Sequence, residues 1–292
     1  MKTLIVIFQA INILLFGHSF GVDCSEYVPS LAVEAGVENL HFGRFIKANC
    51  SLEEHWDYLQ CDTTAFYSEA MPGERYFTVK EKTVREALAE TEWDYVIFQT
   101  SLENEGRYET FQPYLNDLID YVLKASRAAG HKKPKIGWNM FWPVSILLED
   151  GSNPRATYRL SFYGNSSEKM YEAYRDAAGK VLKKTKVSFV IPSGATVMAA
   201  RESELNTPQL REFTRDGYHL SEGYGRYMAA CTWFEKLLAK ETGISVVGNP
   251  LRISAPVDPE RNSVISDPVT DDAVALRLQE LAAQTVRSVF PR

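Results

Sequence analysis

The sequence predicts an α/β protein built on one doubly wound parallel sheet. Short apolar runs, of the length found in buried strands, alternate along the chain with stretches in which apolar residues recur every three or four positions. Strands that alternate with helices in this way form parallel β-α-β units. The composition agrees with a globular protein, because 45% of the 292 residues are hydrophobic and 24% are charged.

These patterns place most of the elements of the sheet and its helices. Apolar runs predict strands over residues 11–16, 95–98, 135–138 and 187–191. Amphipathic spacing predicts surface helices over residues 83–90, 114–129 and 169–183. A second strand is expected shortly before Asn49, and helices can form over residues 27–35 and 224–240.

The C-terminal part of the chain differs in residue composition from the rest. Residues 249–272 are rich in proline and turn residues, which predicts a loop over the surface. A final helix is expected over residues 271–289, with an apolar face that would consist of Val274, Leu276, Leu278, Leu281, Val286 and Val289. We therefore predict one domain over residues 11–240, with residues 241–292 packed on it.

The first ten residues predict either a clipped signal peptide or an extra strand, since one lysine is followed by an apolar run. A signal long enough to be cleaved would extend to Phe16 and would remove the first predicted strand. The sequence as written therefore predicts a cytoplasmic protein, whereas a true start further upstream would predict a periplasmic or secreted one. No other stretch approaches the roughly 20 apolar residues of a membrane span.

Charge, cysteine and histidine patterns argue against a nucleic-acid partner, a metal site and a disulfide framework. The 32 Lys and Arg residues and 38 Asp and Glu residues leave a net charge of −6, without a basic cluster, which argues against nucleic acid as a partner. The four cysteines lack C-x-x-C spacing, and the histidines lack H-E-x-x-H spacing, so we predict no metal site and no disulfide framework. The oligomeric state is not predicted.

A possible nucleophile follows the first strand, in Gly17-His18-Ser19-Phe20-Gly21. A serine on a sharp strand-to-helix turn is exposed at the carboxyl edge of the sheet, where N–H groups at the helix start can hold an oxyanion. An alternative remains open, in which Ser19 simply caps the helix. The G-x-S-x-G pattern also fits the elbow of α/β-hydrolases, but that elbow follows several strands, whereas only one predicted strand precedes Ser19.

A possible general base lies far downstream, in Asp216-Gly217-Tyr218-His219. An aspartate three residues before a histidine can accept the Nδ1 proton and leave Nε2 facing a nucleophile. The pattern alone is also satisfied by a structural loop aspartate and a buried histidine. In a doubly wound sheet, however, Ser19 and this loop would meet at the same carboxyl edge.

Together the two motifs resemble the first and last signature blocks of the SGNH (GDSL-type) hydrolases, over residues 11 to about 240 and in the correct order. The resemblance implies a three-layer α/β/α, flavodoxin-like fold and a serine esterase without a cofactor. It further implies that Ser19 is the nucleophile, His219 the general base and Asp216 the residue that orients the base. His18 stands where the family usually has aspartate.

The two middle blocks match the family less closely. Asn49-Cys50-Ser51-Leu52-Glu53 resembles the Gly-Cys-Ser-Leu-Glu version of a bacterial branch, with Asn49 in place of glycine. After the third core strand, Gln99 can supply an amide N–H where the family has asparagine, and Asn104 is the reserve candidate. The resemblance thus implies an oxyanion hole made of Ser19, Asn49, Ser51 and Gln99.

An acetyl ester of a carbohydrate is the substrate that these features favour. His18, beside the nucleophile, and Asn139 and Trp142, at the exit of the fourth core strand, are expected to line the substrate cleft. Aromatic rings there could stack on the apolar faces of sugars. Alternatives are a lipase or thioesterase of the same fold, and a catalytically silent carbohydrate-binding protein.

Overall fold

The computed structural model describes residues 10–64, 66–254 and 265–291, and these contain one seven-stranded sheet. In chain order the strands are β1 (Ile11–Gly17), β2 (Leu40–Ile46), β3 (Tyr67–Ala70), β4 (Thr78–Lys80), β5 (Tyr95–Phe98), β6 (Lys135–Asn139) and β7 (Phe189–Ile191). Their spatial order is β4-β3-β2-β1-β5-β6-β7. Strands β2, β1, β5, β6 and β7 are parallel, whereas β3 and β4 are antiparallel additions at one edge.

The helices pack in two groups, as a three-layer α/β/α sandwich requires. The α-helices of the described residues are α1 (Ser19–Ser25), α2 (Val28–Glu34), α3 (Leu52–Gln60), α4 (Val84–Glu90), α5 (Tyr114–Ala128), α6 (Pro154–Ser161), α7 (Ser167–Lys184), α8 (Ser193–Arg201), α9 (Tyr224–Leu237), α10 (Ala239–Thr242) and α11 (Asp272–Ser288). Helices α3 and α4 both contact α5, while α1, α2, α8 and α11 all contact α9. The predicted α/β class with a doubly wound sheet is confirmed.

The central position of β1 in the sheet explains its burial. It pairs in parallel with β2 on one side and β5 on the other, and residues 13–16 are at most 1% exposed. Counted among themselves, the parallel strands have the order 2-1-3-4-5 of flavodoxin-like sheets. The strand order reverses at β1, so a crevice opens at the carboxyl ends of β1 and β5, and ligands of such sheets bind there.

Strands β3 and β4 were not predicted, because β3 lacks an apolar run. Its sequence is Tyr-Ser-Glu-Ala, yet all four residues are buried. Glu69 is accommodated by hydrogen bonds from the Tyr67 hydroxyl (2.8 Å) and from His41 Nε2 (3.3 Å). Hydrogen bonding rather than hydrophobic burial therefore satisfies this strand, and a periodicity analysis does not detect it.

The C-terminal helix forms, and most of its predicted apolar face lies towards the core. Leu278 is buried and Val274, Leu281 and Val289 are partly buried against the core, whereas Leu276 is 40% exposed. The other buried residues of α11 are Ala275, Gln279, Ala282, Ala283 and Thr285. Residues 1–9, of the predicted signal or extra strand, and residues 255–264, of the predicted loop, lie outside the described residues.

We expect Leu278→Ala to destabilise the protein by about 2 to 5 kcal/mol, because it leaves a cavity in the contact between α11 and the core. Leu276→Ala is the matched control on the same helix, and we expect it to change stability by less than about 0.5 kcal/mol. Urea unfolding of both variants measures the difference. Equal destabilisation by the two substitutions would contradict the observed helix face.

Candidate active site

The Ser19 turn joins β1 to α1 and is shaped by His18. Strand β1 ends at Gly17 and α1 begins at Ser19, with His18 as the N-cap residue. The His18 Nδ1 atom accepts a hydrogen bond from the Phe20 N–H (3.3 Å), so Nε2 carries the proton and donates to the Thr100 carbonyl (2.7 Å). Burial lowers the pKa of His18 to about 3, and the imidazole is therefore neutral.

Gln99 lies directly beneath this turn and explains its two glycines. A Cβ atom at Gly17 would lie 2.9 Å from Gln99 Cδ, and one at Gly21 would lie 3.0 Å from Leu15 Cδ2 and 3.2 Å from the Gln99 amide group. With its carbonyl oxygen facing the turn, the Gln99 amide accepts hydrogen bonds from the N–H groups of His18 (3.0 Å) and Gly21 (3.2 Å). Gln99 is fully buried and supports the turn through these bonds.

The second half of the site is a tight loop closed by an antiparallel bridge between Thr214 and Leu220. Gly217 has φ +88°, and a Cβ atom there would lie 2.2 Å from Leu148 Cδ1, so the turn requires glycine. Asp216 Oδ1 accepts a hydrogen bond from the His219 N–H (2.7 Å) and one from the Tyr218 N–H (3.1 Å). Residues 216–219 thus form a small hydrogen-bonded unit, which depends on the three-residue spacing of Asp216 and His219.

Ser19, His219 and Asp216 form one hydrogen-bonded chain. Ser19 Oγ lies 2.9 Å from His219 Nε2, and His219 Nδ1 lies 2.7 Å from Asp216 Oδ2. Burial by itself would raise the pKa of the Asp216 carboxyl, but the hydrogen bonds and charge of His219 outweigh burial and lower it. An ionised Asp216 keeps the proton of a neutral His219 on Nδ1 and leaves Nε2 free to accept the serine proton.

The buried carboxylate of Asp23 joins the two halves of the site. Asp23 lies one helical turn after Ser19 on α1 and is fully buried. Its Oδ1 accepts hydrogen bonds from Arg226 Nε (2.8 Å) and an Arg215 Nη atom (3.1 Å), and its Oδ2 accepts one from the Leu220 N–H (2.9 Å). The sequence analysis did not identify Asp23, although its spacing from Ser19 on one helix was a usable signal.

Aromatic packing holds the His219 ring in place. The Phe20 ring stacks on Trp142 at 4.5 Å between centroids and meets His219 edge-on at 5.4 Å. The Tyr218 ring lies 4.7 Å from the His219 ring on the same loop. Trp142 Nε1 donates a hydrogen bond to the Tyr218 carbonyl (2.6 Å), so the loop is also anchored through its backbone.

His18, Asn139 and Trp142 were predicted to line the cleft, but the structure buries all three completely. His18 caps α1, and Trp142 packs under Phe20. Asn139 accepts a hydrogen bond from the Ser193 hydroxyl (2.7 Å). Polar and aromatic residues at the end of a strand can point down into the protein as well as up, and these three form the floor beneath the site.

The loop after β2 contains Asn49 and Ser51, which the sequence predicts as oxyanion residues. Asn49 is half-buried and has φ +47°, a left-handed conformation that favours glycine and tolerates asparagine. Ser51 caps α3 instead, because its N–H donates to Glu54 Oε2 (2.8 Å) and its hydroxyl accepts from the Glu54 N–H (3.2 Å). The reserve candidate, Asn104, lies in the turn after β5, where its backbone N–H bonds to Ser101.

Among residues 10–64, 66–254 and 265–291, no group of three or more His, Cys, Asp or Glu side chains could hold a metal ion. Within the same ranges, no helix combines the length and apolar character needed to cross a bilayer.

The comparison with protein-family models decides the family. The model DUF4886, described as a domain of unknown function, matches residues 12–255. The chain belongs to this family. A crystal structure of a DUF4886 protein from Bacteroides uniformis ATCC 8492 is 27% identical, with a TM-score of 0.76 and coverage of 96% of each chain. No curated protein matches the chain.

Two more distant solved structures are also similar. One is an acetyl xylan esterase that is 12% identical, with a TM-score of 0.47 and coverage of 76% of this chain and 98% of that one. The other is a catalytic mutant of an acetylxylan esterase from Geobacillus stearothermophilus, 10% identical, with a TM-score of 0.44 and coverage of 82% and 98%.

The depressed pKa of His18 predicts a dependence of stability on pH. The unfolded state binds a proton at a pKa of about 6.5, whereas the folded state does so only at about 3. Titration of His18 therefore leaves the free energy of unfolding unchanged above about pH 6.5. As the pH falls from there towards 3, it lowers the free energy of unfolding by up to about 1.4 kcal/mol per pH unit.

We expect wild type to lose stability more steeply than His18→Asn between pH 7 and pH 4.5, because asparagine can still cap α1 but does not titrate. Urea unfolding at several pH values measures both slopes. Parallel curves for the two proteins would refute a neutral buried His18.

Proposed function

We propose that this protein is a serine esterase of the SGNH type. The observation that carries the proposal is the hydrogen-bonded chain from Ser19 Oγ through His219 to Asp216, with links of 2.9 and 2.7 Å. These distances lie within the reach required of a nucleophile, a base and a residue that orients the base. These three side chains lie near the carboxyl end of β1, where the strand order reverses and where sheets of this order bind their ligands.

The geometry supports an acyl-enzyme mechanism. Ser19 Oγ attacks the ester carbonyl while His219 Nε2 takes its proton, and the Asp216 carboxylate stabilises the imidazolium. Collapse of the tetrahedral intermediate expels the alcohol, which takes the proton from His219 and leaves the acyl group on Ser19. Water then attacks this acyl-enzyme with His219 as the base, which releases the acid and restores Ser19.

We propose that two backbone N–H groups stabilise the oxyanion. The Ser19 N–H is at the start of α1, where the first amides of a helix have no partner within it and the helix dipole favours negative charge. The Asn49 N–H belongs to the left-handed residue of the loop after β2, next to β1 in the sheet. Gln99 and Ser51 drop out of the proposed hole because each is engaged elsewhere.

A carbohydrate acetyl ester is the substrate we propose. Tyr158 is 59% exposed and Phe162 is 40% exposed, and the two rings lie 5.3 Å apart on the outer side of the α6 segment. Arg159, between them, faces inward, with its guanidinium carbon 5.3 Å from the Tyr218 ring. The exposed aromatic pair therefore lies on the helix that reaches the His219 loop through Arg159, and Arg107 lies 4.7 Å from the centre of the Phe162 ring. We propose that the remaining exposed surface of the pair stacks on the apolar faces of sugar rings.

We expect wild type to hydrolyse p-nitrophenyl acetate faster than the butyrate and octanoate esters at pH 8 with a chelator present. Ser19→Ala should abolish this turnover, and Asp216→Asn should lower kcat by about 10⁴-fold because the imidazole then adopts the wrong tautomer. Steady-state kinetics with matched circular dichroism spectra measure both effects.

The control is Ser161→Ala, which removes an exposed hydroxyl at the end of α6. Turnover that is equal in wild type and Ser19→Ala would overturn the proposed nucleophile. A preference for the octanoate ester would indicate a lipase or thioesterase. No turnover, together with binding of acetylated glycans that survives Ser19→Ala, would indicate a silent carbohydrate-binding protein.

The aromatic pair can be tested with a polymeric substrate. We expect Tyr158→Ala and Phe162→Ala to raise KM for acetyl release from acetylated xylo-oligosaccharides by about threefold to tenfold, because each removes one stacking ring. The effect should exceed that on p-nitrophenyl acetate. Tyr76→Ala is the control, since this tyrosine is 48% exposed near the β3–β4 edge. Equal effects on both substrates would contradict a sugar-binding role.

A further inference from the structure

Asn49 occupies a position whose backbone conformation needs support. With φ +47° it is in the left-handed region, which costs an L-residue more than it costs glycine. Its side chain must therefore contribute interactions that hold the loop. This matters for the proposed reaction because the direction of the Asn49 N–H is set by the same backbone.

Both ends of the Asn49 amide are held by the segment after β5. Its Oδ1 accepts a hydrogen bond from the Leu102 N–H (3.3 Å). Its Nδ2 donates to both carboxylate oxygens of Glu103, at 3.1 and 3.2 Å. Strands β2 and β5 flank β1 in the sheet, so this clamp connects the two loops on either side of the Ser19 turn.

Glu103 is itself well placed to hold another group. Its backbone carbonyl accepts a hydrogen bond from the Tyr163 hydroxyl (3.0 Å), which fixes the main chain independently of the carboxylate. The carboxylate side chain is only 22% exposed. Arg159 Nε lies 3.9 Å from Glu103 Oε2, beyond hydrogen-bond distance, so the bonds to Asn49 are the closer contacts of the carboxylate.

We propose that Glu103 is a positioning residue that acts through Asn49. Its carboxylate holds the Asn49 side chain, and thereby the left-handed backbone that presents the Asn49 N–H to the oxyanion. This inference rests on the proposed esterase function. It explains how the chain uses asparagine at a position where glycine would adopt the same conformation without a clamp.

The experiment compares Glu103 variants in two backgrounds with p-nitrophenyl acetate as the probe. In wild type, we expect Glu103→Ala to lower kcat by about tenfold to hundredfold with little change in KM. The reason is that the hydrogen bond from the Asn49 N–H to the oxyanion forms mainly in the transition state, so its loss has little effect on substrate binding. Glu103→Gln should retain most of kcat, since its amide oxygen still accepts from Asn49 Nδ2. Glu109→Ala, an exposed carboxylate in the same segment, is the surface control.

In the Asn49→Gly background, the same Glu103→Ala substitution should change kcat by less than about twofold, because glycine adopts the left-handed conformation without a side-chain clamp. An effect that persists undiminished in that background would place the role of Glu103 elsewhere, on Arg159 or on folding, and would overturn the proposal. So would a loss of kcat in Glu103→Gln as large as that in Glu103→Ala.

The two proposals fail in different ways. Absence of Ser19-dependent turnover in wild type would remove the esterase function. In that case, the φ of residue 49 could still be followed by NMR in Glu103→Ala, where an unchanged left-handed Asn49 would refute the clamp. Ser19-dependent turnover that Glu103→Ala leaves intact would refute the clamp alone.

Discussion

The arrangement of the candidate site depends on one buried ionic contact, between Asp23 and the loop that contains His219. Ser19 and His219 are 200 positions apart in the chain, yet their side chains must meet within hydrogen-bond distance. Asp23 extends from the same helix as Ser19 and binds Arg215, Arg226 and the Leu220 N–H. A fully buried carboxylate that lost these partners would be strongly unfavourable, so these contacts stabilise the observed docking of the loop.

The floor of the site shows a second constraint, which is the satisfaction of buried polar groups. His18 is neutral and uses both ring nitrogens, and Gln99 occupies the space that two glycines leave open. Such a layer is rigid because each group has specific partners and little room to move. The Ser19 turn is therefore held from below by hydrogen bonds and from the side by the Phe20 and Trp142 rings.

The fold and the centre of the site could be predicted because they depend on short-range patterns. Apolar runs marked the parallel core strands, and the spacing from Asp216 to His219 is itself the hydrogen-bonded unit. Side-chain direction could not be predicted in this way. Gln99 and Ser51 lie at the expected strand ends, but burial turns one downward and helix capping engages the other. Strand β3 escaped notice because it is not marked by a run of large apolar side chains.

The separation of Ser19 and His219 along the chain also bears on how the protein folds. Contacts between distant residues close long loops and lose much chain entropy, so they form late unless many other contacts precede them. The Ser19 turn requires β1 and its neighbours, and the His219 loop requires α9 to be docked beside α1. The hydrogen bond between Ser19 and His219 therefore forms only when the fold is complete, and a chain that has assembled only its N-terminal half lacks the histidine partner of Ser19.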